Sequence, residues 1–291
     1  MVVDPDELWE RVDAPLFYRE TCPSTNDIAR AEGRDGAAHG TFVVADEQTA
    51  GRGRTGNVWA SPPGGVWSST LVRPGFAASH VGRLTFAGGL AAAETVEAFG
   101  VEDARLKWPN DVVVDRDDGT REKLCGILTE AVVDEVPVAG KPVDDVLPGT
   151  DPETADLSFA VLGVGVNADL DPGDLDVGDR AVTTLRREAD DRDGIDTTDV
   201  AATLHDRLLA WTETVETDDG FADAVDAFCD RSATLGERVR VTRRNQADDD
   251  DDDPLVGVAV DVDERGALVV ETSDGRRVNV TEGECRQLRR T

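Results

Sequence analysis

Residues 41–46, Thr41-Phe42-Val43-Val44-Ala45-Asp46, run almost directly into Gly51-Arg52-Gly53-Arg54-Thr55-Gly56 at 51–56, and this junction decides how the chain reads. The first segment is a β-branched, apolar run that fits a buried strand. The second is a glycine–arginine loop. Its glycines lift the Cβ restriction, so the backbone can reach positive φ and approach a ligand closely. Successive N–H groups in such a loop form an anion-binding concavity, and two arginines add forked donors. The spacing is neither that of a Walker loop nor that of a Rossmann fingerprint. From local sequence alone three readings stay open: a phosphate or adenylate site, a loop with no ligand, or a nucleic-acid contact.

Working outward, residues 16–21 predict a strand ended by Cys22-Pro23. Ser24 or Thr25 then caps a helix through about Glu32, closed by Gly33. Residues 66–72 alternate like a second strand. A helix follows from about Ser79 to Phe99, whose Ala/Gly-rich middle suits close packing on a sheet. Residues 104–115 read as strand, turn, strand, and 123–133 and 158–167 as two more apolar strands. The acidic segment 134–157 between them reads as an exposed loop. Helices are expected at 199–215 and 221–230. From Gly236 the character changes to short strands with turn residues, a small barrel, and the Asp248–Asp253 run inside it reads as a solvated loop.

The charge balance narrows the partners. In 291 residues there are 61 acidic and 30 basic side chains, a formal net charge of −31. Such a surface disfavours non-specific contact with nucleic acid or anionic lipid. The acid is spread along the whole chain, which reads as adaptation to a high-salt cytoplasm. The cysteines (Cys22, Cys125, Cys229, Cys285) and histidines (His39, His80, His205) are scattered, so neither a disulfide framework, a zinc site nor a histidine base is expected. No apolar run approaches the ~20 residues of a membrane span.

Three further motifs carry polar groups to strand ends. Lys107-Trp108-Pro109-Asn110-Asp111 ends a strand and turns. Lys123-Leu124-Cys125-Gly126-Ile127-Leu128 puts a lysine at the head of a buried strand. Gly163-Val164-Gly165-Val166-Asn167 is a strand with two glycines on one face, which either clears space for a ligand or marks a bulge. The chain uses 27 arginines but only three lysines, and two of these, Lys107 and Lys123, lie in the motifs. Lysine is a compact point charge that can serve a carboxylate and a phosphate together.

Taken in order, Ser24-Thr25-Asn26, Gln48, GRGRTG, KWPND, KLCGIL, GVGVN and the terminal barrel resemble the biotin–protein ligase family over about 270 residues. The resemblance implies an α+β fold: a mixed sheet backed by helices, like the class II aminoacyl-tRNA synthetase core (residues 1–233), followed by an SH3-like barrel (234–291). It implies formation of biotinyl-5'-AMP from biotin and ATP with Mg²⁺, then transfer of biotin to a lysine of a biotin carboxyl carrier protein. Ser24, Thr25, Asn26, Gln48, Gly126 and Gly165 are then expected against biotin. Arg52, Gly53, Arg54 and Lys123 should touch the activated acid. Trp59, Asn110, Asp111 and Asn167 fall at the nucleotide end, with Lys123, Arg54 and Asp111 as catalytic groups and Asp111 as the magnesium carboxylate.

Regulatory members of that family carry a winged-helix domain ahead of the first motif, whereas 23 residues precede Ser24 here. The expectation is a cytoplasmic ligase without DNA or membrane partners; a homodimer is compatible with the sequence. A lipoate–protein ligase and a non-catalytic biotin or adenylate sensor are the alternatives. The charge makes its own prediction. Exposed like charges repel over about 10 Å at 0.1 M salt but only about 3 Å at 1 M, so thermal melts should rise steeply between dilute buffer and molar salt; a melting temperature flat with salt contradicts the high-salt reading.

Overall fold

The computed structural model describes residues 2–288 except 55–57, 134–135, 139–150, 152–154, 156, 176–177, 179, 190–193, 243–253 and 282. The Asp248–Asp253 run and most of the 134–157 segment therefore lie outside the described residues.

The chain opens with α1 (Pro5–Arg11), which starts where Asp4 accepts from the Asp6 and Glu7 amides and proline takes the first helical turn. β1 (Leu16–Cys22) and β2 (Phe42–Gln48) pair in parallel, which requires a crossover, and α2 (Thr25–Arg34) supplies it. β3 (Val66–Val72) follows, then α3 (Gly82–Ala98), β4 (Arg105–Lys107), β5 (Asp111–Asp115), β6 (Arg121–Val133), β7 (Val136–Val138) and β8 (Leu157–Val166). These strands form one mixed sheet in the order β1-β2-β3-β8-β6-β5-β4, with β7 on the far end of β6 and every pair but the first antiparallel. Part of the segment expected to be loop, residues 136–138, is thus a strand.

Helices cover both faces. On one, α2 packs against β2, β3 and β8, and its Ala29 joins Val43, Leu71, Val132, Phe159 and Val161 in a buried cluster. On the other lie α3 and, after the short α4 (Leu185–Glu188), α5 (Thr197–Thr214) and α6 (Asp218–Asp230). The Ala/Gly-rich middle of α3 does pack closely: a Cβ on Gly88 would meet Ile127 of β6 at 3.0 Å. His205 of α5 is buried with its ring against Phe42, and burial, with His39 nearby, pushes it down to about 4. It is a neutral core group remote from the motifs.

The second sheet consists of β9 (Arg238–Thr242), β10 (Leu255–Val262), β11 (Leu268–Thr272), β12 (Arg277–Val280) and β13 (Glu284–Gln287), antiparallel in the order β12-β11-β10-β9-β13. One hydrophobic cluster runs from α3 through Trp108 into Val239, Val262 and Leu268, so the two sheets share a core. Among the described residues no helix is long and apolar enough to cross a membrane.

The expected closure of α2 by Gly33 is not what forms. The helix continues through Arg34, and Gly33 sits inside it because an added Cβ would fall 2.5 Å from buried Leu71 and Phe159 atoms. Alanine there gains about 1 kcal/mol of helix propensity but overpacks the core by about 1–3 kcal/mol. Gly33→Ala should therefore lower stability, while Gly82→Ala, at an open helix start with no heavy atom within 4 Å, should not. Urea midpoints measured in molar salt will compare the two.

Candidate active site

A cavity of 860 Å³ opens between the mixed sheet, the segments 52–54 and 59–60 and the edge of the second sheet, and all the site residues expected from sequence line it. One wall begins at α2. Ser24 is the N-cap, but its side chain makes no capping bond. Gln48, at the end of β2, does the capping: its Oε1 accepts from the Thr25 amide at 2.8 Å and the Thr25 hydroxyl at 3.1 Å, and its Nε2 donates to Ser61 at 3.0 Å. Ser69 Oγ lies 2.7 Å from Thr25 Oγ1 and 2.6 Å from Asn26 Oδ1. Side chains of α2, β2 and β3 are thereby locked to one another, a rigid wall of donors and acceptors.

The floor strands carry glycines where side chains from other elements come down onto them. β8 pairs without interruption on both sides of Gly163 and Gly165, so the glycines mark no bulge. A Cβ on Gly163 would overlap Asn26 Oδ1, and one on Gly165 would come within 2.7 Å of Trp59 Nε1. Gly126 of β6 faces the same ring: its Cβ would sit 3.1 Å from Trp59 and 2.9 Å from Lys123 Nζ. Trp59 thus lies flat over the glycines, with the Lys123 ammonium 4.5 Å from its ring centroid. Its indole N–H is buried and has no hydrogen-bond partner. An unpaired buried donor costs about 1–3 kcal/mol, so an acceptor reaching this point would be rewarded.

Lys123 reaches the cavity through a bulge. Gly126 pairs with Asp111 and Cys125 with Val112, but Val113 pairs with Lys123, leaving Leu124 as the extra residue. Three residues apart on a regular strand, Lys123 and Gly126 would face opposite sides; the inserted residue brings both to one face. Leu124 is buried. The lysine backbone is pinned from the other side as well: its N–H donates to Ala181 O at 2.9 Å and its carbonyl accepts from the Thr183 amide at 3.0 Å. Asn167 Nδ2 donates to Lys123 O and Thr183 O, so this buried amide braces the lysine. Asn110 is similarly engaged, its Nδ2 donating to Ile127 O at 2.7 Å.

Asp111 lies between two ammonium groups, with Lys107 Nζ 3.3 Å from Oδ2 and Lys123 Nζ on Oδ1. Burial by itself would raise its carboxyl; Lys123 and Lys107 outweigh burial and hold it below the usual carboxylate range. Both oxygens being taken by lysines, this carboxylate does not fit the cation-ligand role expected of it. The only acidic cluster of metal-binding geometry among the described residues, Glu7 with Asp196 and Asp199, lies away from the cavity.

Other expectations shift too. Arg52 turns from the cavity interior to Asp27, with Nη2–Oδ1 2.6 Å and Nη1–Oδ2 3.0 Å. Gly53 and Arg54 line the mouth; Thr55 and Gly56 lie outside the described residues. The tryptophan of KWPND, which the turn alone did not explain, is a tie between sheets. It is buried, its N–H donates to Thr234 Oγ1 at 2.9 Å and its indole to Gly266 O at 3.2 Å. The adjoining Trp108–Pro109 peptide is cis. Sequence reasoning missed Asp27, the 180–182 segment and the 283–287 edge, all without a motif.

Comparison with known proteins follows this geometry. The model described as the biotin/lipoate A/B protein ligase family matches residues 18–140, and that of the biotin protein ligase C-terminal domain matches 234–286. The biotin–[acetyl-CoA-carboxylase] ligase of Mycobacterium tuberculosis is 30% identical over 275 residues, 91% of this chain and 86% of that protein. The chain belongs to the biotin protein ligase family. The bifunctional ligase/repressor BirA of Bacillus subtilis is 27% identical over 264 residues, 89% of this chain and 70% of that protein. The fold matches that of the Aquifex aeolicus biotin protein ligase solved with biotin and ATP (TM-score 0.68, 23% identity, 94% of this chain and 99% of that one). The biotin protein ligase fold thus has its mixed sheet and its antiparallel C-terminal sheet here.

Replacing Asp111 by asparagine strands two ammonium groups. Breaking a buried pair of this kind costs up to about 3 kcal/mol, and the loss should depend on pH. The folded carboxyl sits below its unfolded value, so its stabilisation is full above the ordinary carboxylate range and disappears as pH falls through the lowered value. The stability gap between wild type and Asp111→Asn, read by urea unfolding, should be wide at neutral pH and narrow toward pH ~3. An equal gap at both pH values contradicts the pairing.

Proposed function

We propose that the chain is an ATP-dependent biotin–protein ligase, joining biotin to a lysine of a biotin carboxyl carrier protein through biotinyl-5'-AMP. One observation carries the reading beyond the family. In a chain of net charge −31, the cavity collects Arg54, Lys107, Arg121, Lys123, Arg180 and Arg286 against Asp111 and Glu284. A cationic concavity in an anionic surface focuses field on an anionic ligand, and 860 Å³ is within the usual range for an organic ligand site of about 300–1,000 Å³.

The chemistry asks for such a site. Biotin's carboxylate attacks the α-phosphorus of ATP, a P–O bond forms, and pyrophosphate leaves with the electron pair of the bond that breaks. Two anions must meet, so charge has to be neutralised where it concentrates. Lys123, braced at its backbone and aimed along the glycine floor, suits the position between carboxylate and α-phosphate. Asp111 keeps that ammonium and Lys107 oriented while the cavity is without a ligand. Preorganised cations of this kind are worth about 2–4 kcal/mol each in a site closed to water. Magnesium enters with the nucleotide, held by its phosphates; no protein ligand is assigned to it.

In the second step a deprotonated carrier lysine attacks the acyl carbon and AMP departs. Arg54 and Trp59, which line the cavity from either side of the 51–52 and 58–59 stem, are suited to keep water from the mixed anhydride meanwhile. The locked wall of Ser24, Thr25, Asn26 and Gln48 is suited to the neutral ring end of biotin, and Asn110 and Asn167 to shaping the nucleotide end through the backbone they brace. Scattered thiols and an acidic surface agree with a cytoplasmic setting at high salt. The terminal sheet, matching a C-terminal domain described for biotin protein ligases, favours biotin over lipoate.

Purified protein in molar salt should exchange pyrophosphate into ATP when biotin is added, not when lipoate is, and should label a purified carrier domain. Lys123→Ala should lower the exchange by about 10²–10³-fold. Exchange with lipoate alone would overturn the biotin assignment, and near-wild-type exchange by the variant would overturn the role of Lys123.

A further inference from the structure

Arg52 belongs to a closed ring of alternating charge that nothing in the proposed chemistry uses. Its guanidinium makes the two-point pair with Asp27 and lies 3.7 Å from Glu130 Oε1. Arg30, one turn along α2, completes the ring: Nη1 donates to Glu130 Oε2 at 2.7 Å and Nη2 pairs with Asp27. Two cations and two carboxylates from the loop, α2 and β6 therefore meet at one point. Glu130 is only 5% exposed, so one corner of the ring is buried, while Arg52 and Asp27 lie at its exposed edge. The bond from Arg52 is the largest cause holding Asp27 below the usual carboxylate range.

What this ring grips is the base of the hairpin. Gln48 pairs with Ser61, Gly51 O accepts from the Trp59 amide at 2.9 Å, and Arg52 pairs with Val58, making an antiparallel stem. Arg54 and Trp59, the two cavity-facing side chains beyond and beside that stem, follow its position. Asp27 follows Asn26, which with Thr25 lines the cavity wall, while Asp27 itself is outside the cavity. The ring thus ties the flap to the helix that forms the opposite wall.

We infer that Asp27 is a positioning residue: by pairing Arg52 across to Arg30 and Glu130, it holds the stem of 51–52 and 58–59, and with it Arg54 and Trp59, against the cavity and sets how long the activated acid is retained. The latch rests on the acyl-adenylate reading above. A bidentate charge-assisted pair with a buried neighbour exceeds the usual worth of an exposed ion pair. Arg52 and Asp27 are themselves more than a third exposed, so molar salt screens part of their attraction, and the two-point geometry and the buried Glu130 carry the rest.

The test separates retention from formation. With wild type, Asp27→Asn and Asp27→Glu in molar salt, biotin-dependent pyrophosphate exchange reports formation, and capture of the activated acid by added hydroxylamine reports escape. Asp27→Asn should raise the captured fraction about two- to fivefold, the worth of one such pair, with exchange within about twofold of wild type. Asp27→Glu, which keeps the charge, should restore retention. Trypsin cleavage after Arg54 should quicken in Asp27→Asn in parallel. Unchanged capture in Asp27→Asn overturns the latch, as does a parallel loss of exchange and melting temperature that Asp27→Glu does not rescue. Absence of biotin-dependent exchange in the wild type overturns the acyl-adenylate reading instead, and the trypsin rates then still decide whether Asp27 holds the hairpin.

Discussion

The pairing of Asp111 with two lysines fixes the cavity ends of three strands. It joins β4, β5 and β6, and it exists only because the bulge at Leu124 carries Lys123 to the side of the sheet where Asp111 and Gly126 face. Taking three ionic groups partly out of water is costly unless their charges are matched and their hydrogen bonds satisfied. The surrounding structure supplies that matching through rigid backbone: the Thr183 and Ala181 contacts, the Asn167 brace and the Asn110 tie to Ile127. A cation held this way needs no reorganisation when an anion arrives.

The glycines of β6 and β8 are the complementary constraint. They remove side chains from a strip of sheet while leaving its pairing unbroken, and the strip is where Asn26 and Trp59 come down onto the backbone. Positive charge above one end of this strip and amide and hydroxyl groups above the other give the cavity a charged end and a neutral polar end. That polarity is what distinguishes it from a generic anion site.

The sequence revealed the main strands and long helices because their apolar periodicity is strong, and it revealed the cavity residues because glycine, arginine and lysine stand out against this acidic background. It concealed α1, a seven-residue helix whose evidence is a single Asp-Pro cap, and β13, whose Glu-Cys-Arg-Gln alternates one buried residue with exposed ones. Gly33 read as a helix end because glycine serves both as a terminator and as a packing gap, and only tertiary contact tells them apart. The bulge left no trace, since Lys-Leu-Cys-Gly reads the same with or without an extra residue. Arg52 was assigned to the ligand because a loop's composition reports what it can bind, whereas its partner Asp27 lies 25 residues away on another element.

The indole of Trp108, hydrogen-bonded to Gly266 and enclosed by the shared core, means that the second sheet is not an appendage. Severing the chain between the sheets would bare a large aromatic face and orphan its N–H, while removing the strand edge at 283–287 that completes the cavity rim. The mixed sheet and the terminal strands therefore share one core and one cavity rim, and neither keeps its buried surface without the other.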